Sequence, residues 1–246
     1  MKADPFAQLK LLDIAEIDAR ILQLRHQLKN LPESKQIAEL QIERKKVDDT
    51  AIDFRIQRDD LAVAVAKAEK DVEAVRVRRT KEQARIDAGQ VTNPKDLERL
   101  QAELANIDRR IGVLEDEELE VMEQLDEATK AAAGFDLKID EFDARIQELT
   151  NARTERAADV ERELASITAD RGPAIEGMPA DLMALYDRIR EQSGIGAAEL
   201  RAKQCGGCRL SVEPAELSRI RTAPSDEVIR HEECGVIMVR TAESGL

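Results

Sequence analysis

Residues 97–125 read LERLQAELANIDRRIGVLEDEELEVMEQL, and one set of positions recurs at alternating spacings of three and four: Leu97, Leu100, Leu104, Ile107, Ile111, Leu114, Glu118, Val121 and Leu125. This is the heptad seam of a coiled coil, one apolar stripe aimed at a partner helix. The seam continues through Ala128, Ala132, Phe135, Ile139, Phe142, Ile146 and Leu149, slips in phase, and recovers at Val160, Leu164 and Ile167. A slip of this kind alters the supercoil locally. Upstream lies a second seam: Ile37, Leu40, Arg44, Val47, Ala51, Phe54, Arg58, Leu61, Val65, Ala68, Val72 and Val75, with Arg44 and Arg58 as its polar intrusions. Ile14, Ile17, Ile21, Leu24, Leu28 and Leu31 precede it, and Asn30-Leu31-Pro32-Glu33 interrupts it. Proline removes a helix hydrogen bond, so a kink is expected near position 32.

The link between the seams is Ala88-Gly89-Gln90-Val91-Thr92-Asn93-Pro94. Glycine can end the first helix, Asn93 can cap the second, and Pro94 suits a first helical position. A connection this short makes its helices antiparallel neighbours. The arms on either side, 5–88 and 95–170, match in length, which favours an intramolecular hairpin over pairing between chains. At 1.5 Å per residue each arm spans roughly 115–125 Å. The expected fold is mainly α: a long antiparallel two-stranded coiled-coil hairpin over 1–171 with its tip turn at 88–94. A linker and short helix follow at 172–196, and a small C-terminal β zinc ribbon occupies 197–246.

Composition excludes several alternatives. Of 246 residues, 36% are charged and 2% aromatic, with no Trp. Five aromatics cannot supply the core of a large globular domain, because aromatic side chains dominate core area. No glycine precedes Gly89, and neither GxGxxG nor GxxxxGK[ST] occurs, so a nucleotide-binding α/β enzyme is excluded. No nucleophile–base pair can be named, so neither an enzyme nor a small-molecule substrate is expected. The net charge of −13 disfavours non-specific nucleic-acid binding over the whole surface. No apolar run approaches a membrane span. Met1-Lys2-Ala3-Asp4-Pro5 carries no apolar signal region, and a cytoplasmic location is expected.

The chemistry lies in the last 42 residues. Cys205-Gly206-Gly207-Cys208 is followed by 22 residues and then His231-Glu232-Glu233-Cys234-Gly235. Three cysteines in a reducing compartment argue against a disulfide framework and for metal. Zinc takes four N/S ligands tetrahedrally, and ligands two residues apart can grip one ion from one turn. Cys205, Cys208, His231 and Cys234 are therefore the expected ligands of one structural zinc, with no open position for a catalytic water. A redox CxxC lacks its βαβ setting here. Gly206 and Gly207 are expected to permit the first knuckle, and Gly235 to take a positive φ. Ala197–Lys203 and Val236–Val239 read as flanking strands, and the block is expected to need its metal to fold.

Candidate contact residues follow from charge. Seven basic residues in 197–246 stand against eight acidic ones, a local balance of −1, which leaves −12 for residues 1–196. The ribbon is thus the least acidic region, and Lys203, Arg209, Arg219 and Arg221 are its candidate contacts to a protein partner or nucleic acid. It lacks interleaved aromatics for base stacking. Arg76, Arg78, Arg79, Lys81 and Arg85 form a basic run near the tip, read either as a solvated face or as a contact to phosphates or an acidic partner. Asp87, Asp96 and Glu98 flank the turn and raise an alternative, an RNA-polymerase-channel factor acting through an acidic tip. A purely structural spacer is a further alternative.

Three features taken in order resemble a bacterial family. They are Gly89-Gln90-Val91-Thr92-Asn93-Pro94-Lys95-Asp96-Leu97 at the tip, Tyr186-Asp187-Arg188-Ile189-Arg190 before the ribbon, and Cys205-Gly206-Gly207-Cys208 with Cys234-Gly235 inside it. Together they resemble the C4-type zinc-ribbon coiled-coil family, once catalogued as a domain of unknown function, over essentially the whole chain. The family pattern has cysteine where this chain has His231. The resemblance implies a non-enzymatic interaction protein in a transcription-, RNA- or export-linked role. Proposed roles of family members are as adaptors for an alternative sigma factor, secretion components or messenger RNA.

Overall fold

The computed structural model describes residues 1–246. In chain order the elements are α1 (Pro5–Lys29), α2 (Pro32–Asp87), α3 (Pro94–Ile175), α4 (Ala180–Ser193), β1 (Ala197–Arg201), β2 (Gln204–Cys205), α5 (Pro214–Thr222), β3 (Ile229–Arg230) and β4 (Ile237–Arg240). No helix is long and apolar enough to cross a membrane. The chain divides into two compact units, one of Lys35–Thr150 and one of Met1–Ser34 with Asn151–Leu246.

The first unit is the hairpin of α2 and α3. Seam residues Ile37, Ala51, Val65 and Val72 of α2 are buried, as are Leu104, Ile107, Leu114, Ala128, Ala132, Ile139 and Leu149 of α3. Phe54 stacks on Phe135 with ring centroids 5.2 Å apart. Cross-hairpin ion pairs set the direction. Arg44 grips Asp143 in a fork of 2.6 and 2.9 Å, Arg55 meets Asp136, Arg76 meets Glu115 at 2.5 Å and Arg79 meets Asp108 at 2.5 Å. As the α2 partner rises from 44 to 79, the α3 partner falls from 143 to 108, so the helices run antiparallel. The polar intrusion Arg44 therefore reaches across to the partner helix, and Asp143 in turn is held below the usual carboxylate range by the Arg44 hydrogen bond. The turn forms as its residues dictate. Gly89 has φ +67, and the Asn93 side chain accepts from the Lys95 N–H at 3.1 Å.

The second unit is built on α1, the distal part of α3, α4 and the ribbon. Asp4 caps α1, its Oδ1 accepting from the Phe6 N–H at 2.8 Å, with Pro5 at the first position. The helix stops at Asn30, and Pro32 begins α2, so the interruption near position 32 is a clean break between helices. Beyond Leu149, buried Val160 is reached through half-buried Arg153 and Ala157, a spacing of four, four and three. That is the phase slip seen in the sequence. Helix α3 runs four residues past Arg171, with Gly172 and Pro173 in its last turn. Ala174 and Ile175 pack on the cluster around Leu11, Ile14, Leu182 and Tyr186, and this packing holds helical a turn that propensity alone would break.

The ribbon sheet has strand order β2-β1-β4-β3. β1 is antiparallel to β2 and parallel to β4, and β3 is antiparallel to β4. Its two faces have different cores. Ala197, Ile237 and Val239 face Leu11, Ile14, Leu182, Tyr186 and Ile189 of α1 and α4. Leu200, Cys205 and Met238 face Val212, Ile220 and Ile229 on the α5 side. The alternation of Ile237, Met238 and Val239 between these clusters follows from the period of two along a strand. The strand–knuckle–loop–knuckle–strand expectation omitted α5, β2 and β3, all of which lie outside the two flanking strands it identified.

Buried polar groups fasten α1 to α3 and α4. The Asp18 side chain, 5% exposed, receives Arg171 Nε at 2.7 Å, Arg190 at 2.8 Å and the Tyr186 hydroxyl at 2.9 Å. Arg171 also donates to Asp187 at 2.9 Å. Burial, with the Asp18 charge, pushes the Tyr186 hydroxyl well above its ordinary value, so it remains a donor. Gly196 is required beside this ring, since a Cβ there would lie 2.5 Å from it. The Tyr186-Asp187-Arg188-Ile189-Arg190 stretch thus has a structural cause: three of its members join the network and Ile189 enters the core.

Candidate metal centre

Each ligand pair sits in a turn closed by backbone hydrogen bonds. The Arg209 N–H donates to the Cys205 carbonyl at 2.7 Å, and the Gly235 N–H donates to the His231 carbonyl at 2.8 Å. The residue after the second ligand is left-handed in both turns, Arg209 at φ +62 and Gly235 at φ +72. Gly235 therefore does what its residue type predicts. In the first turn the positive φ falls on Arg209 instead. Gly206 is needed for close approach, because a Cβ there would lie 2.9 Å from the Glu199 carbonyl oxygen of β1.

These turns bring Cys205, Cys208, His231 and Cys234 together, with all four donor atoms within 4.8 Å of one another. Cys205 and Cys234 sulfurs are 3.9 Å apart, and His231 Nδ1 is 3.4 Å from Cys208 Sγ and 3.1 Å from Cys234 Sγ. Tetrahedral Zn–S bonds of about 2.3 Å place sulfurs about 3.8 Å apart, so this donor set fits a zinc ion. Burial pushes the Cys234 thiol up to about 11. Burial also opposes ionisation of Cys208, but hydrogen bonds from the Leu210 N–H and the neighbouring thiols outweigh it and hold that thiol below its ordinary value. Three thiolates and a neutral imidazole around Zn2+ leave a net charge of −1 and no position for water or substrate.

A buried carboxylate stands behind the histidine. Glu216, on α5, is 4% exposed, and its Oε2 lies 4.0 Å from His231 Nε2, the ring nitrogen turned away from the thiols. Glu216 Oε1 accepts from the Glu232 N–H at 3.2 Å. Metal-bound histidines commonly direct their second nitrogen at a carboxylate, which fixes the ring and raises its basicity. Sequence reasoning missed Glu216. The available signal was Glu213-Pro214-Ala215-Glu216-Leu217, a proline-started helix in the loop between the ligand pairs.

The predicted contact residues divide. Arg219 is exposed but paired, 2.9 Å from Glu232 and 3.7 Å from Glu216, where it offsets the charge beside the site. Lys203 and Arg221 line one shallow cleft with Leu217 and Ser218. Lys203 and Ala202 form the two-residue turn between β1 and β2 at φ +63 and +46, the positive-φ pair that a tight hairpin turn needs. Arg240 is fully committed to the fold: its guanidinium donates to the carbonyls of Ile220, Ala223, Pro224, Ser225 and Glu227 at 2.6–3.4 Å. Along the tip-proximal basic run, Arg76, Arg78 and Arg79 pair with Glu115, Glu103 and Asp108 of α3, and Arg85 pairs with Glu82. Those arginines belong to the hairpin's own ion ladder. Asp87, Asp96 and Glu98 are exposed at the turn, and Asp87 accepts from Gln83 at 2.9 Å.

Residues 14–194 match the CT398-like coiled coil hairpin domain, and residues 204–238 match the C4-type zinc ribbon domain. An uncharacterized protein of Mycobacterium tuberculosis is 31% identical over 240 residues, 98% of each chain. A solved structure from Mycobacterium smegmatis is 31% identical with a TM-score of 0.87, covering 98% of this chain and 100% of that one. CT398 from Chlamydia trachomatis shares the fold at 16% identity and a TM-score of 0.68, covering 96% of this chain and 98% of that one. This chain, a zinc-binding coiled-coil protein with histidine in place of one zinc-ribbon cysteine, belongs to the CT398-like coiled-coil hairpin family with a C4-type zinc ribbon.

Proposed function

We propose that this chain is a non-enzymatic adaptor whose zinc ribbon meets an acidic surface of a protein partner in a transcription- or RNA-linked setting. One observation carries the reading. Lys203 and Arg209 are exposed yet hold φ +63 and +62. A left-handed residue with a Cβ costs roughly 1–2 kcal/mol, which glycine would avoid. Strain kept at exposed positions supports a role for the side chains themselves. Arg221, on the same cleft as Lys203, extends the cationic rim. The closed donor set supports a structural metal rather than a catalytic one. The absence of aromatics in 197–246 and the net charge of −13 favour a protein over nucleic acid. The family resemblance supplies the transcription- or RNA-linked setting.

Arg209→Gly tests this directly, because it relieves strain while removing the side chain. Zinc-loaded full-length protein would be used as bait in native lysate, with half the lysate nuclease-treated. The expected result is a variant at least as heat-stable as the parent that retains less protein partner, in both halves. Undiminished capture by Arg209→Gly and by Arg221→Glu would overturn the placement. Partners lost only after nuclease would assign the rim to nucleic acid. The acidic-tip alternative requires that alanine at Asp87 and Asp96 alter transcript elongation or cleavage.

A further inference from the structure

Helix α2 carries a second heptad register on the side opposite its seam. Ile42, Asp49, Ile56, Val63, Lys70 and Val77 recur every seven residues, and all six are exposed. Ile42, Ile56, Val63 and Val77 are 58%, 55%, 72% and 57% exposed. The outward line of a solvated coiled-coil helix is normally polar. This line is apolar at four of six positions, and its order is self-complementary. Laid antiparallel on itself, Ile42 meets Val77, Asp49 meets Lys70, and Ile56 meets Val63. A two-fold contact requires this reciprocity, with residue i meeting j and j meeting i.

We propose that this face is a contact between two copies of the chain, paired antiparallel about an axis between Asp59 and Asp60 of each α2. The two charged positions support the register. Asp49 and Lys70 take no part in the cross-hairpin pairs that engage Arg44, Arg55, Arg76 and Arg79. In the pairing each finds an opposite charge, twice per dimer. On the flank, Lys46 meets Glu73, also twice. Asp59 opposes Asp60 at the axis, where Asp59 is already held by Arg58 at 2.8 Å. Opposite charges thus outnumber like ones, and every apolar member of the line finds an apolar partner. One helix face makes a small interface, below about 1,200 Å², so the contact is a weak, concentration-dependent one.

The test is sedimentation equilibrium of the zinc-loaded full chain from about 5 μM to about 500 μM, the range in which weak dimers dissociate. Asp49→Lys and Lys70→Asp each place like charges across the contact and should weaken dimerisation about tenfold, whereas the double swap should restore it to within about threefold of the parent. Circular dichroism checks that the hairpin stays helical. The register has its own readout in spin labels. A label at residue 60 lies beside the axis and should report a short interchain distance, whereas labels at residue 42 should be about 52 Å apart, 35 residues at 1.5 Å each. A strictly monomeric parent overturns the proposal and leaves the stripe to a different protein. A double swap as weak as the single changes, or a short distance at 42, overturns the pairing.

Discussion

Replacing Glu216 by alanine should weaken zinc binding although Glu216 is not a zinc ligand. Its carboxylate lies 4.0 Å from His231 Nε2 and is almost fully buried. Loss of such a carboxylate behind a metal-bound histidine typically costs about 10–100-fold in affinity, or about 1.4–2.7 kcal/mol. Because a structural metal is linked to folding, the same amount should be lost from the zinc-dependent stability of the ribbon. The assay is competition of the purified full-length protein against a chromophoric chelator at neutral pH, with exposed Glu213→Ala as control. A reversal of sign isolates the cause. In a His231→Cys background the fourth ligand is a thiolate on the far side of the space the ring filled, and a carboxylate about 6 Å away repels it by up to ~3 kcal/mol at an effective dielectric of 20. Removing Glu216 there should tighten zinc binding rather than weaken it. Zinc affinity of Glu216→Ala within twofold of the parent would refute the argument, and so would an equal loss in both backgrounds.

Two further outcomes follow from the same structure. The Cys234 thiol, pushed up to about 11 by burial, is protonated throughout the neutral range, so zinc must displace its proton. Acidification favours the protonated, metal-free form, so affinity falls as pH falls, and calorimetry in buffers of different ionisation enthalpy should detect at least one proton released per zinc at pH 8. No release there would contradict the raised thiol value. Asp18→Ala leaves Arg171 and Arg190 with Asp187 as their shared carboxylate and the buried Tyr186 hydroxyl without its acceptor, and should destabilise the α1–α3–α4 junction by about 1–3 kcal/mol in denaturant unfolding, more than removal of a surface pair. A loss below 1 kcal/mol would show that the network is dispensable.

The hairpin was legible because its causes are local and periodic. Each seam residue repeats the instruction of the one three or four places before it, and Gly89, Asn93 and Pro94 act within their own turn. The ligand set was legible for the same reason: paired donors two residues apart need little else. Even the substitution of His231 into a cysteine pattern can be read from spacing.

What only the tertiary structure decided involves groups far apart in sequence. Ala174 and Ile175 remain helical past Pro173 because a core assembled from α1 and α4 rewards it. Glu216 matters through a histidine fifteen residues away on another element, and Arg240 is consumed by carbonyls along a loop that composition presents as ordinary. The arginines near the tip read as a basic patch until the facing helix supplies their carboxylates. Periodicity and spacing determined which elements form and which donors can hold zinc. Burial and long-range partners, which no local pattern encodes, decided which charges are structural and which stay exposed.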